Sequence, residues 1–78
     1  MPEFRISITD DEATSEGIER HESYAAARRS AVQTALAFLF DREVLPPALA
    51  ATCEIRNEET GLAKRFNVDL HVGGDRLV

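Results

Sequence analysis

Cys53, His21 and His71 are the residues of this 78-residue chain whose types could carry nucleophilic or metal chemistry. A reactive thiolate needs an electropositive, partly exposed setting. Cys53 instead falls on the apolar side of an alternating stretch, with no histidine spaced to meet it, which predicts a core thiol. The two histidines lack a third ligand for a metal set, and both are expected in solvent. "DDEATSEG" lacks the alternating oxygens and sixth-place glycine of a calcium loop. Gly73-Gly74 follows a predicted strand but opens no helix, so it forms no phosphate cradle. The carboxylates have no apolar walls to drive their pKa values apart for acid and base work. The chain therefore reads as non-enzymatic, with no catalytic, metal or cofactor-binding residue.

Arginine is the remaining chemistry. Arg5, Arg56 and Arg65 are expected on the polar face of a sheet, and Arg28 and Arg29 open a helix. Such a face could track a phosphate backbone. Glu54 and Asp69 share it, however, and it offers no ring for a base to stack on, because Phe4 and Phe66 point inward. A nucleic-acid-associated regulatory role on Arg5, Arg56 and Arg65 is thus the alternative reading, and a mixed solvated face the leading one.

The elements that position these residues follow from periodicity. "FRISIT" alternates Phe4, Ile6 and Ile8 with polar neighbours and predicts a strand over about 3–9. Residues 10–22 show no period and carry Gly17, and they are expected to form a connection. Six acids against one base in that segment account for the whole net charge of −5. Solvation explains such a run, and a docking segment for a basic partner is the sharper alternative.

Ser23 suits an N-cap, and the alanine-rich, leucine-rich run that follows predicts a helix over about 23–42. Tyr24, Ala31, Val32, Ala35, Leu36 and Leu39 share one stripe of it, with Phe38 and Phe40 on the two flanks. That stripe is wider than a single sheet contact needs, so Phe38 or Phe40 is expected to meet a second subunit. Pro46 and Pro47 end helical propagation, and the linker 43–50 is expected to lie as a lid over one end of the core. Strands over about 51–57 and 62–72 then form a hairpin in which Gly61 takes positive φ, Cys53 opposes Phe66 and Glu54 opposes Arg65. Residues 73–78 are expected to fray.

The predicted fold is α+β, a single βαββ domain over 1–78. Its three-stranded antiparallel sheet has spatial order 2-3-1, the longest and most regular strand in the middle, and one amphipathic helix covers one face. A domain of this length buries only about 60% of its unfolded surface, so its margin is thin and self-association would widen it. The single cysteine excludes an internal disulfide framework, and the longest apolar run, "ALAFLF", is far short of a membrane span. A cytoplasmic setting is expected.

Phe4-x-Ile6-x-Ile8, then Glu16-Gly17-Ile18, then Ser23 leading into Ala26, Ala27, Ala31 and Ala35, and finally the Glu58-Glu59-Thr60-Gly61 turn form a pattern. It resembles a family of short bacterial βαββ proteins known only as a domain of unknown function. The resemblance spans Phe4 to about Val72, on motifs of low specificity. It departs at Asp10-Asp11, where similar sequences carry Asp-Gly, and at Pro46-Pro47, which has no counterpart. It implies a βαββ fold and a bacterial cytosol, and it brings no catalytic or binding residues. The functional expectation is a protein-interaction module that forms a homodimer and has an unidentified protein partner.

Overall fold

In a computed structural model, which describes residues 1–41 and 46–77, the elements are β1 (Glu3–Thr9), β2 (Thr14–Arg20), α1 (Tyr24–Phe40), β3 (Ala48–Asn57) and β4 (Ala63–His71). They build one four-stranded sheet in the order β2-β1-β3-β4, antiparallel throughout. The expected three-stranded sheet of order 2-3-1 is therefore incorrect on two counts. The segment read as an acidic connection holds a strand, and the C-terminal strand lies at an edge.

The missed strand forms because Asp10 organises a tight hairpin. Its Oδ1 accepts from the amides of Glu12 and Ala13 at 2.8 Å each, and its own amide donates to the Ala13 carbonyl at 3.0 Å. This side-chain turn is a local alternative to a glycine turn. It sets Thr14 against Thr9, Gly17 against Ile6 and Glu19 against Phe4. β2 has no apolar side chain on its helix side, where Ser15, Gly17 and Glu19 stand, because the helix does not roof it, and all but Glu19 of its residues are exposed, Ile18 on the open face among them.

The central position goes to the strands whose inner residues the helix covers. Phe4, Ile6 and Ile8 of β1 and Leu49, Ala51, Cys53 and Ile55 of β3 are all buried. On β4 the corresponding Phe66, Val68 and Leu70 are only half-buried. Length and regularity, the grounds for placing β4 centrally, do not decide this. β3 begins at Ala48, so the last residues of the expected lid belong to the sheet, while the part of that linker at 43–45, like the expected last helix residue at 42, lies outside the described residues.

The helix is capped as its sequence requires. Ser23 has extended backbone and its Oγ accepts from the Ala26 amide at 3.2 Å. Ala27, Ala31, Ala35 and Leu39 are fully buried and face the sheet. Three alanines leave the helix backbone close to the strands, which makes this a thin two-layer molecule of 53 × 25 × 16 Å. The β3–β4 turn closes with the Gly61 amide donating to the Asn57 carbonyl at 2.8 Å, and Gly61 has φ 77°. Cys53 faces Phe66 and Glu54 faces Arg65, the register that the turn dictates.

Candidate functional site

Antiparallel pairing brings Arg5, Arg56 and Arg65 into one quadrant of the sheet face that the helix leaves open. Arg5 lies directly opposite Arg56, and Arg65 lies one row on, across from Glu54. Each guanidinium has an acceptor. Arg5 Nε donates to Glu58 Oε1 at 2.6 Å and its Nη1 to Glu16 Oε1 at 3.1 Å. The Glu58 hydrogen bond, then the Glu16 one, raise the Arg5 pKa above its ordinary value. Arg65 Nη2 donates to Glu54 at 3.2 Å, and Arg56 Nη1 donates to the Gly61 carbonyl at 3.0 Å. Arg20 lies 3.6 Å from Glu3 at the margin.

A polyanion approaching this face would have to compete with pairs already made. Beside them runs a cross-strand row of Thr14, Thr9, Thr52 and Asn67. Its hydroxyls are engaged sideways: Thr9 with Thr14 at 3.3 Å, and Thr52 donating to Asn67 Oδ1 at 3.2 Å. The face is neutralised and self-satisfied, as a solvated surface should be.

Cys53 is a free thiol with no exposed surface, and burial pushes its pKa up, only partly offset by the Arg28 charge. That is the setting of an inert core cysteine. His21 hydrogen-bonds through Nε2 to Glu19 Oε1 at 2.7 Å, and Ser30 Oγ donates to the same oxygen at 2.7 Å. The bond to His21, and after it the bond to Ser30, lower the Glu19 pKa. This carboxylate therefore ties the flank of α1 to β2. His71 is exposed at the end of β4. Among the described residues no three histidine, cysteine or acidic side chains gather to hold a metal ion, and no helix is long and apolar enough to cross a membrane.

The arrangement that stands out is the margin of the helix-side face at β4. Arg28 sits 4.7 Å over the Phe66 ring, while Ser30 reaches Glu19 on β2, so the two flanks of α1 are assigned. Val32 and Leu36 follow Arg28 at helical spacing on the β4 side. Phe38 lies on the other flank and is partly buried against the core. Phe40, on the β4 flank, is 54% exposed. Two residues along a helix turn through about 200°, so Phe38 and Phe40 cannot belong to one patch. Sequence reasoning named them and missed Phe66, Val68 and Leu70, whose alternation signalled a buried face but not how far the roof would reach.

At the opposite end of the same margin, a cleft of about 350 Å³ opens between the helix start and the β3–β4 turn. Phe4 and Ile55 line its depth, with Leu62 and Tyr24 beside them. Lys64 Nζ lies 4.5 Å over the Tyr24 ring.

No protein-family model, no curated protein and no solved structure matches this chain. Those comparisons add nothing to the resemblance noted from the sequence, and function rests on the geometry above.

Proposed function

We propose that this chain is a non-enzymatic interaction module that pairs with a second copy of itself. The observation that supports this reading is the incomplete roof. α1 packs on β3 and β1 and barely reaches β4, where Phe66, Val68 and Leu70 remain half-open beside a strand edge that pairs with no other strand among the described residues. The edges differ in kind. β2 carries Glu16, Glu19 and Arg20 and has no apolar inner side chain, which is how an edge is kept from pairing. β4 carries the apolar row.

Surface area points the same way. The chain exposes 5676 Å², where a compact monomer of its mass, 8.6 kDa, would expose about 4,700 Å². Part of that excess of roughly 1,000 Å² belongs to the extended segment after β4, and the whole compares with about 800 Å² per partner in a stable interface.

The proposed setting is the bacterial cytosol, in keeping with an unbridged cysteine. Light scattering at high micromolar concentration is expected to return a dimer mass that changes little with salt, because apolar burial drives association. A single-chain mass overturns the reading. Oligonucleotide retardation at low salt, lost together with Arg56 and Arg65, would favour the arginine face instead.

A further inference from the structure

The open edge of β4 also carries enough information to fix how two copies would meet. The Asn57 amide donates to the Leu62 carbonyl at 2.9 Å, and the Val72 amide donates to the Pro47 carbonyl at 2.8 Å. Pairing between β3 and β4 is uninterrupted from Ala48↔His71 to Arg56↔Ala63. Even-numbered residues of β4 therefore turn their backbone polar groups toward β3. Odd-numbered ones, Arg65, Asn67, Asp69 and His71, turn theirs outward to the free edge. The odd-numbered side chains stand on the open face and the even-numbered ones on the helix face.

We propose that two copies join β4 to β4 in antiparallel fashion with Val68 on the two-fold axis, giving a continuous eight-stranded sheet with both helices on one face. The proposal rests on the self-association reading above and adds the surface and the register to it. Antiparallel strands keep like faces together only when the axis passes through a residue, and in mid-strand that leaves Asn67, Val68 or Asp69. An axis at Asp69 sets that carboxylate against its own copy, which is destabilising for directly opposed charges. An axis at Asn67 pairs Arg65 with Asp69 but sets Lys64 against Leu70, so that a half-open residue gains no apolar partner, whereas an axis at Val68 moves Lys64 to the already exposed Val72.

An axis at Val68 sets Val68 against Val68 and Phe66 against Leu70 of the second copy on the helix face. On the open face it sets Asn67 against Asp69 and Arg65 against His71. Asn67 and Asp69 then exchange backbone hydrogen bonds through groups that already point outward. All of the half-open inner residues gain apolar partners, and no like-charged acids meet.

Val68 in that register occupies a non-hydrogen-bonded pair, with Cα atoms about 4.5 Å apart. A disulfide accepts a separation of roughly 4.4–6.8 Å. The single variants Val68→Cys, Asn67→Cys and Asp69→Cys therefore report one axis each. After mild oxidation, thiol blocking and a denaturing gel, Val68→Cys is expected to give at least about tenfold more linked dimer than either neighbour, since their copies lie beyond the ~7 Å limit. Preferential linkage of Asn67→Cys or Asp69→Cys overturns the register. No linkage in any variant, with a dimer mass retained by the unmodified chain, overturns edge pairing but leaves self-association standing. No linkage with a single-chain mass overturns both.

Amide exchange of the unmodified chain supplies a measurement that needs no variant to fold. The Asn67 and Asp69 amides are expected to slow by at least about tenfold between low and high micromolar concentration. Rates independent of concentration, in a sample that light scattering shows to dimerise over that range, overturn the β4 contact.

Discussion

At the scale of single residues, Glu19 does the work that an apolar contact does elsewhere in the fold. It lies on the helix side of β2, where nothing greasy is available, and holds α1 through Ser30 while also engaging His21. Its pKa is lowered by those hydrogen bonds, first the one to His21 and then the one to Ser30, so its folded value lies below its unfolded one. The stabilisation is then fully present above the unfolded value and is lost as pH falls through the folded value. Glu19→Gln should reduce stability at neutral pH by about 0.5–1 kcal/mol, and the difference from the unmodified chain should shrink as the pH falls through the lowered folded value. Urea unfolding at several pH values measures both effects, and an equal loss at all pH values would show that the carboxylate charge is irrelevant.

Among residues, Cys53 in the core and the Glu54–Arg65 pair were legible in the sequence, because alternation and one turn fix them. The partners of Arg5 were not. Glu16 reaches it only because β2 exists, and Glu58 only because the hairpin turn folds back beside β1.

At the scale of elements, the contrast between β2 and β4 explains what sequence patterning can detect. Alternation marks a strand only when one of its faces is covered. β4 shows it strongly through Phe66, Val68 and Leu70, whereas "TSEGIER" shows none because neither side of β2 is roofed. A usable signal did exist in Asp10, followed by a short polar run and flanked by Thr9 and Thr14, which are good strand formers.

The two glycines of the strand regions should consequently respond in opposite ways. Gly61 has φ 77°, a conformation that costs an L side chain roughly 1 kcal/mol, so Gly61→Ala should destabilise by about that amount. Gly17 sits mid-strand without positive φ, and an added Cβ would meet nothing within 4 Å. Gly17→Val should therefore raise stability by about 0.5–1 kcal/mol, through strand propensity and contact with Ile6 across the pair. Thermal unfolding of the two variants decides the matter. A loss in Gly17→Val would mean that β2 does not hold the register described.

At the scale of the whole molecule, the alanine stripe has a cost that pairing with a second copy would remove. Ala27, Ala31 and Ala35 allow close approach of helix and sheet, but a narrow helix of small residues cannot roof four strands, and it leaves one margin of apolar side chains half-wet. If a second copy covers that margin, folding and pairing are linked, and the unfolding midpoint must depend on concentration. A tenfold change in concentration alters the free energy of a dimer by about 1.4 kcal/mol, which for two chains of this length corresponds to a shift of roughly 3–5 °C. Val68→Lys places two ammonium groups against each other at the proposed axis, while in a lone chain it puts a long side chain at a half-open position that can reach water. It should give a single-chain mass and a midpoint that no longer moves with concentration. Its midpoint should also lie below that of the unmodified chain by an amount that grows as both are concentrated. A concentration-independent midpoint in the unmodified chain, or a dimer mass surviving Val68→Lys, would place the missing cover somewhere other than β4.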